Sequence, residues 1–190
     1  MSPKRAKTRA KARTSPKQAK TRLQPKRAMT PKTATPGKND CERLAEQIAK
    51  AIHGEAWHGP SWHDNLAGLM RDDALRRPIP GGHSIGEVVL HMTTWNDVVR
   101  RRMEGETPNV TDALDWPKVT LKDDSAWHAA VARLFEGGDA LVATVAAFPV
   151  TKLHQKRPNV DGTWYDLILG QLQHILYHAG QVGLMKKAGG

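Results

Sequence analysis

One stretch of the chain, residues 163–187, restricts the possible fold more than any other. It contains no proline, and its large apolar side chains recur with the spacing of one helical face. This pattern predicts a single long amphipathic helix that is largely buried in the folded protein. The apolar residues that define the face are Leu167, Ile168, Leu169, Leu172, Ile175, Leu176, Val182 and Leu184.

Two histidines, His174 and His178, lie one turn apart on this predicted helix. Residues four positions apart project from the same face, so both imidazoles can direct a nitrogen at one metal ion. Gln181 falls on that face too, within reach of the far side of a ligand or of a bound water. The spacing is equally compatible with a hydrogen-bonded pair of core histidines, because buried polar groups must find a partner. The stretch alone leaves both interpretations open.

The positive charge of the chain is concentrated at its N-terminus. The formal net charge is +10, but residues 1–40 carry thirteen Lys and Arg and one acid, whereas residues 41–190 carry sixteen basic and eighteen acidic residues. Residues 1–38 are also poor in large apolar side chains, which predicts a disordered tail.

The basic tail suggests nucleic acid as a partner, and two other interpretations of it require no partner. It can bind nucleic-acid phosphates weakly and without sequence specificity, although it contains no aromatic residue on which a base could stack. Alternatively, residues 1–38 are a solubilising extension, or part of them precedes a translation start at Met29. Composition favours the alternatives over nucleic-acid binding.

Cysteine usage and hydropathy exclude several other classes of protein. Cys41 is the only cysteine, so the chain has neither an intramolecular disulfide framework nor a cysteine-based zinc site. No apolar run approaches the ~20 residues of a membrane-spanning helix, and the N-terminus lacks the apolar core of a secretory signal. We therefore expect a cytoplasmic protein with no membrane partner.

Capping residues and apolar periodicity predict three further substantial helices upstream of the histidine pair. The second of them carries His91 among apolar residues and begins with the capping box Ser84-x-x-Glu87. This box accounts for Glu87 without catalysis, and a position behind a metal ligand is a secondary hypothesis, since Glu87 lies one turn before His91. The three helices span residues 41–53 (after an N-cap at Asn39 or Asp40), 84–103 and about 124–148.

The connections between these helices differ in length. A short helix is predicted from Ser61 to Met70, after a Gly-Pro turn. Residues 105–122 and 150–162 are expected to lack regular structure, and the longer of the two is typical of a crossover or a lid. Two adjacent glycines, Gly137 and Gly138, predict a bend in the middle of the third substantial helix.

A cluster of aromatic residues and histidines is a candidate pocket wall. Two tryptophans and two histidines fall within the seven residues from Trp57 to His63. Trp57 and His58, together with Trp95 on the second substantial helix, are therefore candidate pocket residues. The alternative is a packing plug whose polar atoms remain in water.

Four substantial helices with these connections predict an all-α protein, a four-helix bundle. Facing helices of a bundle can direct metal ligands into its core. One histidine from the second helix, His91, and two from the fourth, His174 and His178, would form a three-histidine set. Three protein ligands leave coordination positions open for water or substrate, which is typical of a catalytic rather than a structural zinc site.

With these residues in place, the chain resembles the DinB/YfiT-like family (DinB superfamily) of metal-dependent enzymes. The resemblance covers about residues 41–187 and leaves the tail outside it. It is carried by three motifs, which read Ser84-Ile85-x-Glu87-x-x-x-His91, then Gly170-x-x-x-His174-x-x-x-His178-x-Gly180-Gln181, and Ala56-Trp57-His58-Gly59-Pro60-Ser61 between the first two helices.

This resemblance implies an up-down-down-up bundle that occupies residues 39–187 and binds a divalent metal, zinc or nickel. It implies His91, His174 and His178 as the metal ligands. The family includes S-transferases that use low-molecular-weight thiols, a thiol-dependent isomerase, and members called hydrolases by analogy. A small-molecule substrate and a thiol cofactor are therefore expected.

The residues themselves leave the reaction open. A metal with an open face can lower the pKa of bound water to about 7, or it can bind a thiol as its thiolate. No general base is evident, because Gln181 cannot accept a proton and Glu87 is engaged in its cap, and this weakly favours thiol transfer. The alternatives are a non-catalytic metal-binding or stress-response bundle and a nucleic-acid-associated protein that acts through its tail. The oligomeric state is open, with Trp116 as a candidate contact of a homodimer.

Overall fold

A computed structural model of the chain describes residues 37–189. The predicted disordered tail, residues 1–38, lies outside this part except for its last two residues. The described residues contain seven α-helices and one 3-10 helix, with a single isolated bridge, between Lys156 and Thr163, as their only β pairing. The elements are α1 (Asp40–His53), α2 (Trp62–Leu66), α3 (Arg71–Leu75), α4 (Ile85–Met103), α5 (Asp112–Asp115), α6 (Asp124–Ala147), the 3-10 helix (Val150–Lys152) and α7 (Trp164–Ala188).

Four long helices, α1, α4, α6 and α7, form the bundle. Each of α1 and α4 packs against both α6 and α7. The core between them is apolar, and its largest fully buried side chains include Trp62, Trp127, Met92 and Leu141. None of the helices within residues 37–189 has the length and apolarity to span a membrane. The predicted all-α four-helix bundle is confirmed.

Contacts between side chains fix the relative directions of three of these helices. On α4 and α6, Asn96 lies beside Gly138, and Glu104, two turns later, accepts a hydrogen bond from Thr144. Both helices therefore advance in the same direction. Gln171 on α7 donates to the buried Asn96, whereas residues later on α7 contact residues earlier on α4. The second and third long helices are thus parallel and the fourth is antiparallel to them, as the up-down-down-up order requires.

The long helices begin where their capping residues predict. The N-cap side chain of α1, α4 and α7 accepts from the backbone N–H three positions later, and the acidic side chain at that position accepts from the N-cap backbone. These reciprocal bonds satisfy N–H groups that a helix start would otherwise leave unpaired. The three pairs are Asn39 with Glu42, Ser84 with Glu87, and Thr163 with Asp166.

One of the two glycines of α6 allows a close approach between helices. Helix α6 is continuous from Asp124 to Ala147, and Gly138 faces α1. A Cβ atom at Gly138 would lie 2.8 Å from Cδ1 of Ile52, so the missing side chain allows the two helices to approach closely. Helix packing therefore accounts for Gly138, and the bend expected from the two glycines stays a prediction.

Two of the predicted connections contain more structure than expected. The helix predicted to continue to Met70 ends at Leu66, because Gly68 adopts a positive φ of 75° that a helix does not allow, and a separate helix, α3, follows. Residues 105–122 contain the one-turn helix α5, capped by Thr111. A four-residue helix is too short to show an apolar period, so the sequence does not reveal it.

Candidate metal centre

Three histidines meet between α4 and α7. His91 projects from the second turn of α4, and His174 and His178 project from the middle of α7, which runs antiparallel to it. The Nε2 atom of His174 lies 3.1 Å from Nε2 of His91 and 2.9 Å from Nε2 of His178. Nitrogen atoms of all three rings lie within 4.8 Å of one another, an arrangement that can hold a metal ion. The structure thus brings together the three histidines selected from the sequence.

Burial keeps the two imidazoles of α7, His174 and His178, in the neutral form that binds metals. His91 and His178 are each only 4 % exposed, and His174 is partly exposed. Desolvation, reinforced by the neighbouring histidine charges, lowers the pKa of His174 to about 4 and that of His178 to about 4. At neutral pH these two rings therefore carry no charge, and the nitrogen that bears no hydrogen has a lone pair available.

Hydrogen bonds fix which nitrogen of His91 and His178 faces the cluster. Nδ1 of His178 donates to the side-chain oxygen of Gln181 at 2.7 Å, and Nδ1 of His91 donates to the backbone oxygen of Asp115 at 2.7 Å. Both oxygens can only accept, so each Nδ1 carries the hydrogen and each Nε2 presents a lone pair. Gln181 therefore has the position behind a ligand that the sequence suggested.

The donor set fits a divalent metal ion. His174 can place at most one hydrogen on Nε2, so at least one of its two close Nε2 contacts lacks a well-aligned hydrogen bond. A cation at the centre would satisfy all three nitrogens at once. Two imidazole nitrogens bound tetrahedrally at ~2.05 Å are roughly 3.3 Å apart, close to the spacing observed here.

Asp115 contacts the histidine cluster, and the sequence did not identify it. It is the last residue of α5, and its Oδ1 lies 3.2 Å from Nδ1 of His91 and accepts a 2.6 Å hydrogen bond from the Trp95 indole. The residue thus holds His91 through both its backbone and its carboxylate. It lies within the stretch expected to lack structure, where no periodic pattern marks it.

Trp116 covers one side of the histidine cluster. Its ring stacks on His91, with centroids 4.0 Å apart and planes 10° from parallel, and on its other face it stacks on His83 at 3.6 Å. Both faces of the indole are therefore in contact with imidazole rings. This position explains Trp116 within one molecule, whereas the sequence suggested it as a contact of a homodimer.

Glu87 serves as a cap and as an ion-pair partner. One carboxylate oxygen accepts from the backbone N–H of Ser84, and the other accepts from Arg77. Nδ1 of His83 lies 3.6 Å from a carboxylate oxygen of Glu87, and the His83 ring stacks on Trp116. Among the described side chains, this is how the Glu87 carboxylate is connected to the cluster. The hydrogen bond from Ser84 to Glu87 is thus the one that the predicted capping box requires.

A cavity of about 330 Å³, the His174 cavity, opens beside the cluster. Trp95 lines it, as the sequence suggested, and its ring meets that of His174 edge-on. Trp57 is 82 % exposed and His58 is exposed as well, and neither belongs to the lining. The lining residues are Trp95, Val99, Arg102, Arg157, Asp166, Leu167, Gly170, Gln171 and His174.

Comparison with known families agrees with this architecture. The family model of the DinB superfamily matches residues 61–182, more than half of the chain. The chain belongs to the DinB superfamily. The match contains all three clustered histidines and excludes Trp57 and His58. No curated protein and no solved structure matches the chain significantly. The DinB assignment made from the motifs is confirmed.

The cap interpretation of Glu87 gives a first prediction. Glu87→Ala should lower the free energy of unfolding by about 0.5–2 kcal/mol, because it removes one half of a capping box. Metal affinity should not change, since the hydrogen bonds of the Glu87 carboxylate go to Ser84 and Arg77 and not to the three histidines. Denaturant titration and metal titration of the same samples measure the two effects. Ser84→Ala, which removes the other half of the box, is the matched control, and a large loss of metal affinity in Glu87→Ala alone would contradict the assignment.

The low pKa values of His174 and His178 give a second prediction. Their folded pKa of about 4 lies below the ~6.5 of an unfolded histidine, so the unfolded chain binds more protons between these values. The free energy of unfolding of the metal-free DinB protein should therefore fall as the pH is lowered from about 7 to about 5.

Urea denaturation measures the free energy of unfolding at each pH, and a chelator keeps the protein free of metal. The range from about pH 7 to about pH 5 lies above the pH at which most carboxylates titrate. The double variant His174→Gln/His178→Gln should show a flatter dependence over the same range. An equal slope in the wild type and the double variant would show that other groups determine it.

Proposed function

We propose that this DinB protein is an enzyme that uses a divalent metal, held by His91, His174 and His178, to transfer a low-molecular-weight thiol to a small molecule. The observation that supports the proposal most strongly is the convergence of three Nε2 atoms beside an open cavity. A structural site would use four protein ligands, whereas three leave a position for a reactant.

Zinc and nickel are the metals that this proposal favours. Neutral imidazole nitrogens suit both ions, and the cluster contains neither thiolate nor carboxylate ligands that would select other metals. The proposal also places the protein in the cytoplasm, because a thiol cosubstrate must remain reduced to react.

The residues around the cluster prepare it for a metal. Asp115 and Gln181 hold His91 and His178 in the orientation that presents Nε2, and Trp116 shields one side of the cluster from water. A bound divalent metal would supply Lewis acidity, which favours the deprotonated form of a thiol or water that it coordinates. The exposed part of His174 faces the cavity through which such a reactant would arrive.

Thiol transfer is favoured over hydrolysis because the nearby carboxylates are already engaged. Asp115 contacts His91 and Trp95, Glu87 binds Ser84 and Arg77, and Asp166 accepts from the N-cap of α7. A hydrolase would require a group that accepts a proton from the attacking water. A thiol depends less on such a proton acceptor, because the pKa of a thiol is much closer to neutral pH than the pKa of water.

Metal content tests the first part of the proposal. Wild-type protein purified without a histidine tag should contain about one equivalent of zinc or nickel by elemental analysis, and His178→Ala should lose most of it. His58→Ala, which removes an exposed histidine, should retain the metal. A wild-type protein that stays metal-free after reconstitution would refute the proposal and leave the three histidines as core residues.

The thiol is tested on the cobalt-substituted protein. Addition of 2-mercaptoethanol should produce a new near-ultraviolet charge-transfer band, because sulfur binds directly to the metal. Ethylene glycol, which differs mainly in carrying oxygen in place of sulfur, is the matched control and should leave the spectrum unchanged. If neither compound changes the spectrum while simple esters are hydrolysed, the hydrolase alternative is correct.

A further inference from the structure

Two arginines beside the histidine cluster have no acidic partner. Arg102 lies in the last turn of α4, and Arg157 lies in the connection before α7. Within residues 37–189, no carboxylate approaches either guanidinium to ion-pair distance. By contrast, the adjacent Arg100 binds both Asp97 and Glu104. We call Arg102 and Arg157 the arginine pair.

Arg157 is fixed in place but uses few of its donors. Its backbone N–H bonds to Gly162, its Nη2 donates to the backbone oxygen of Asp161 at 2.9 Å, and the bridge between Lys156 and Thr163 closes the turn around it. Its Nε is buried and has no hydrogen-bond partner among the described residues. A buried guanidinium N–H without a partner is uncommon, so this side chain retains capacity for an acceptor.

Arg102 is held by an aromatic ring instead of an acid. Its guanidinium lies over the Trp95 ring, 5.6 Å from the centroid, and makes no hydrogen bond to another described residue. Burial and the nearby Arg157 charge both lower the pKa of Arg102 from its ordinary value. Two cations close together in a partly buried site repel each other, and an anion between them would remove this repulsion.

The arginine pair stands between two cavities. Both side chains line the His174 cavity, and both also line a larger cavity of about 530 Å³. The larger cavity has mainly apolar walls, to which Pro108, Val160 and Trp164 contribute. A molecule that extends from the cluster into the larger cavity must therefore pass the two guanidinium groups.

One carboxylate, that of Asp166, also lines the His174 cavity. Its Oδ2 accepts hydrogen bonds from both the backbone N–H and the hydroxyl of Thr163, the N-cap residue of α7. Charge attraction to Arg157 contributes only a minor part of the lowering of the Asp166 pKa, after the bonds to Thr163. Asp166 is thus committed to its helix and leaves the arginine pair available.

We propose that the arginine pair is an anion-binding subsite that recognises a carboxylate or another oxyanion on the reactant. The reactant is therefore an amphipathic acid, with its reacting end at the histidine cluster and its apolar part in the larger cavity. Planar guanidinium groups bind carboxylates through charge-assisted hydrogen bonds, which suits this assignment. The catalytic use of the subsite rests on the proposed function, whereas binding of the anion does not.

Calorimetry on the zinc-reconstituted full chain tests the subsite with hexanoate as the probe and 1-hexanol as its neutral analogue. Hexanoate should bind saturably and hexanol much more weakly. Arg102→Met and Arg157→Met should each weaken hexanoate binding about tenfold or more, because each removes a charge-assisted contact. Arg100→Met, which removes the same charge from an ion-paired arginine of α4, should change the affinity less than twofold.

Inorganic phosphate identifies the kind of oxyanion. Tighter binding of phosphate than of hexanoate, with the same dependence on the arginine pair, would support the subsite and assign it to a phosphate group. Failure of both anions to bind, or binding that both Arg→Met variants leave unchanged, would overturn the proposal.

Thermal unfolding separates recognition from a structural role. Neither arginine makes an ion pair, and each substitution removes only one hydrogen bond or one cation–π contact, so Arg102→Met and Arg157→Met should melt close to the wild-type temperature in the absence of anion. Loss of hexanoate binding together with a clearly lower melting temperature would attribute the effect to folding and overturn the assignment.

The metal-free variant His178→Ala distinguishes this proposal from the proposed function. Hexanoate should still bind to it through the arginine pair. If the wild type proves metal-free but binds hexanoate through Arg102 and Arg157, the metal proposal fails and the subsite stands. If binding needs His178 and not the arginines, the carboxylate is a metal ligand and the subsite proposal fails.

Discussion

The approach of three imidazole nitrogens is the constraint that organises this protein. Nε2 of His174 lies 3.1 Å from one histidine and 2.9 Å from the other, and the hydrogens of His91 and His178 are already directed outwards to oxygen acceptors. No arrangement of neutral rings gives a well-aligned hydrogen bond in both contacts, whereas one cation can bind all three nitrogens. The antiparallel packing of α4 against α7 places the rings at this distance. The register of these two helices is thus a condition for the cluster.

The connections of the bundle orient the cluster as much as the helices do. Helix α5 is only one turn long, yet its Asp115 fixes the tautomer of His91, and the following Trp116 covers the ring. Connecting segments that rest on a rigid scaffold are common carriers of function. Two residues of the stretch 105–122, Asp115 and Trp116, therefore contact the histidine cluster directly.

Much of the fold could be predicted from the sequence, because the long helices combine an apolar face with explicit caps. Ser84 begins its helix as expected, Asn39 is one of the two N-caps considered for the first helix, and the last helix begins with the predicted stretch. The three histidines lie together because their two helices pack. Features that depend on neighbours in space could not be predicted. Gly138 indicates a close approach of α6 to α1 only when Ile52 is seen beside it.

The same limit explains why the sequence did not point to Asp115 or to the arginine pair. Asp115 belongs to a connection without a periodic pattern, and Arg102 and Arg157 belong to different elements, so only the fold reveals the contact of Asp115 with His91 and the common cavity of the two arginines. The local density of aromatic rings and histidines around Trp57 and His58 suggested a pocket, but both side chains are exposed and lie outside the His174 cavity. Local composition is thus a weaker guide to a site than the spacing of ligands on a packed helix.

Several groups around the His174 cavity lie in surroundings that are electrostatically unfavourable for them. Burial disfavours charging His174 and His178, and the arginine pair combines two cations without an acidic partner. Elsewhere in the described residues, the half-buried Arg100 is paired with Asp97 and Glu104, and the buried indole of Trp127 donates to the backbone oxygen of Leu69. These unfavourable interactions meet at one cavity. The proposed binding of a cation by the histidines and of an anion by the arginine pair would relieve them, because each ligand would stabilise the folded form that binds it.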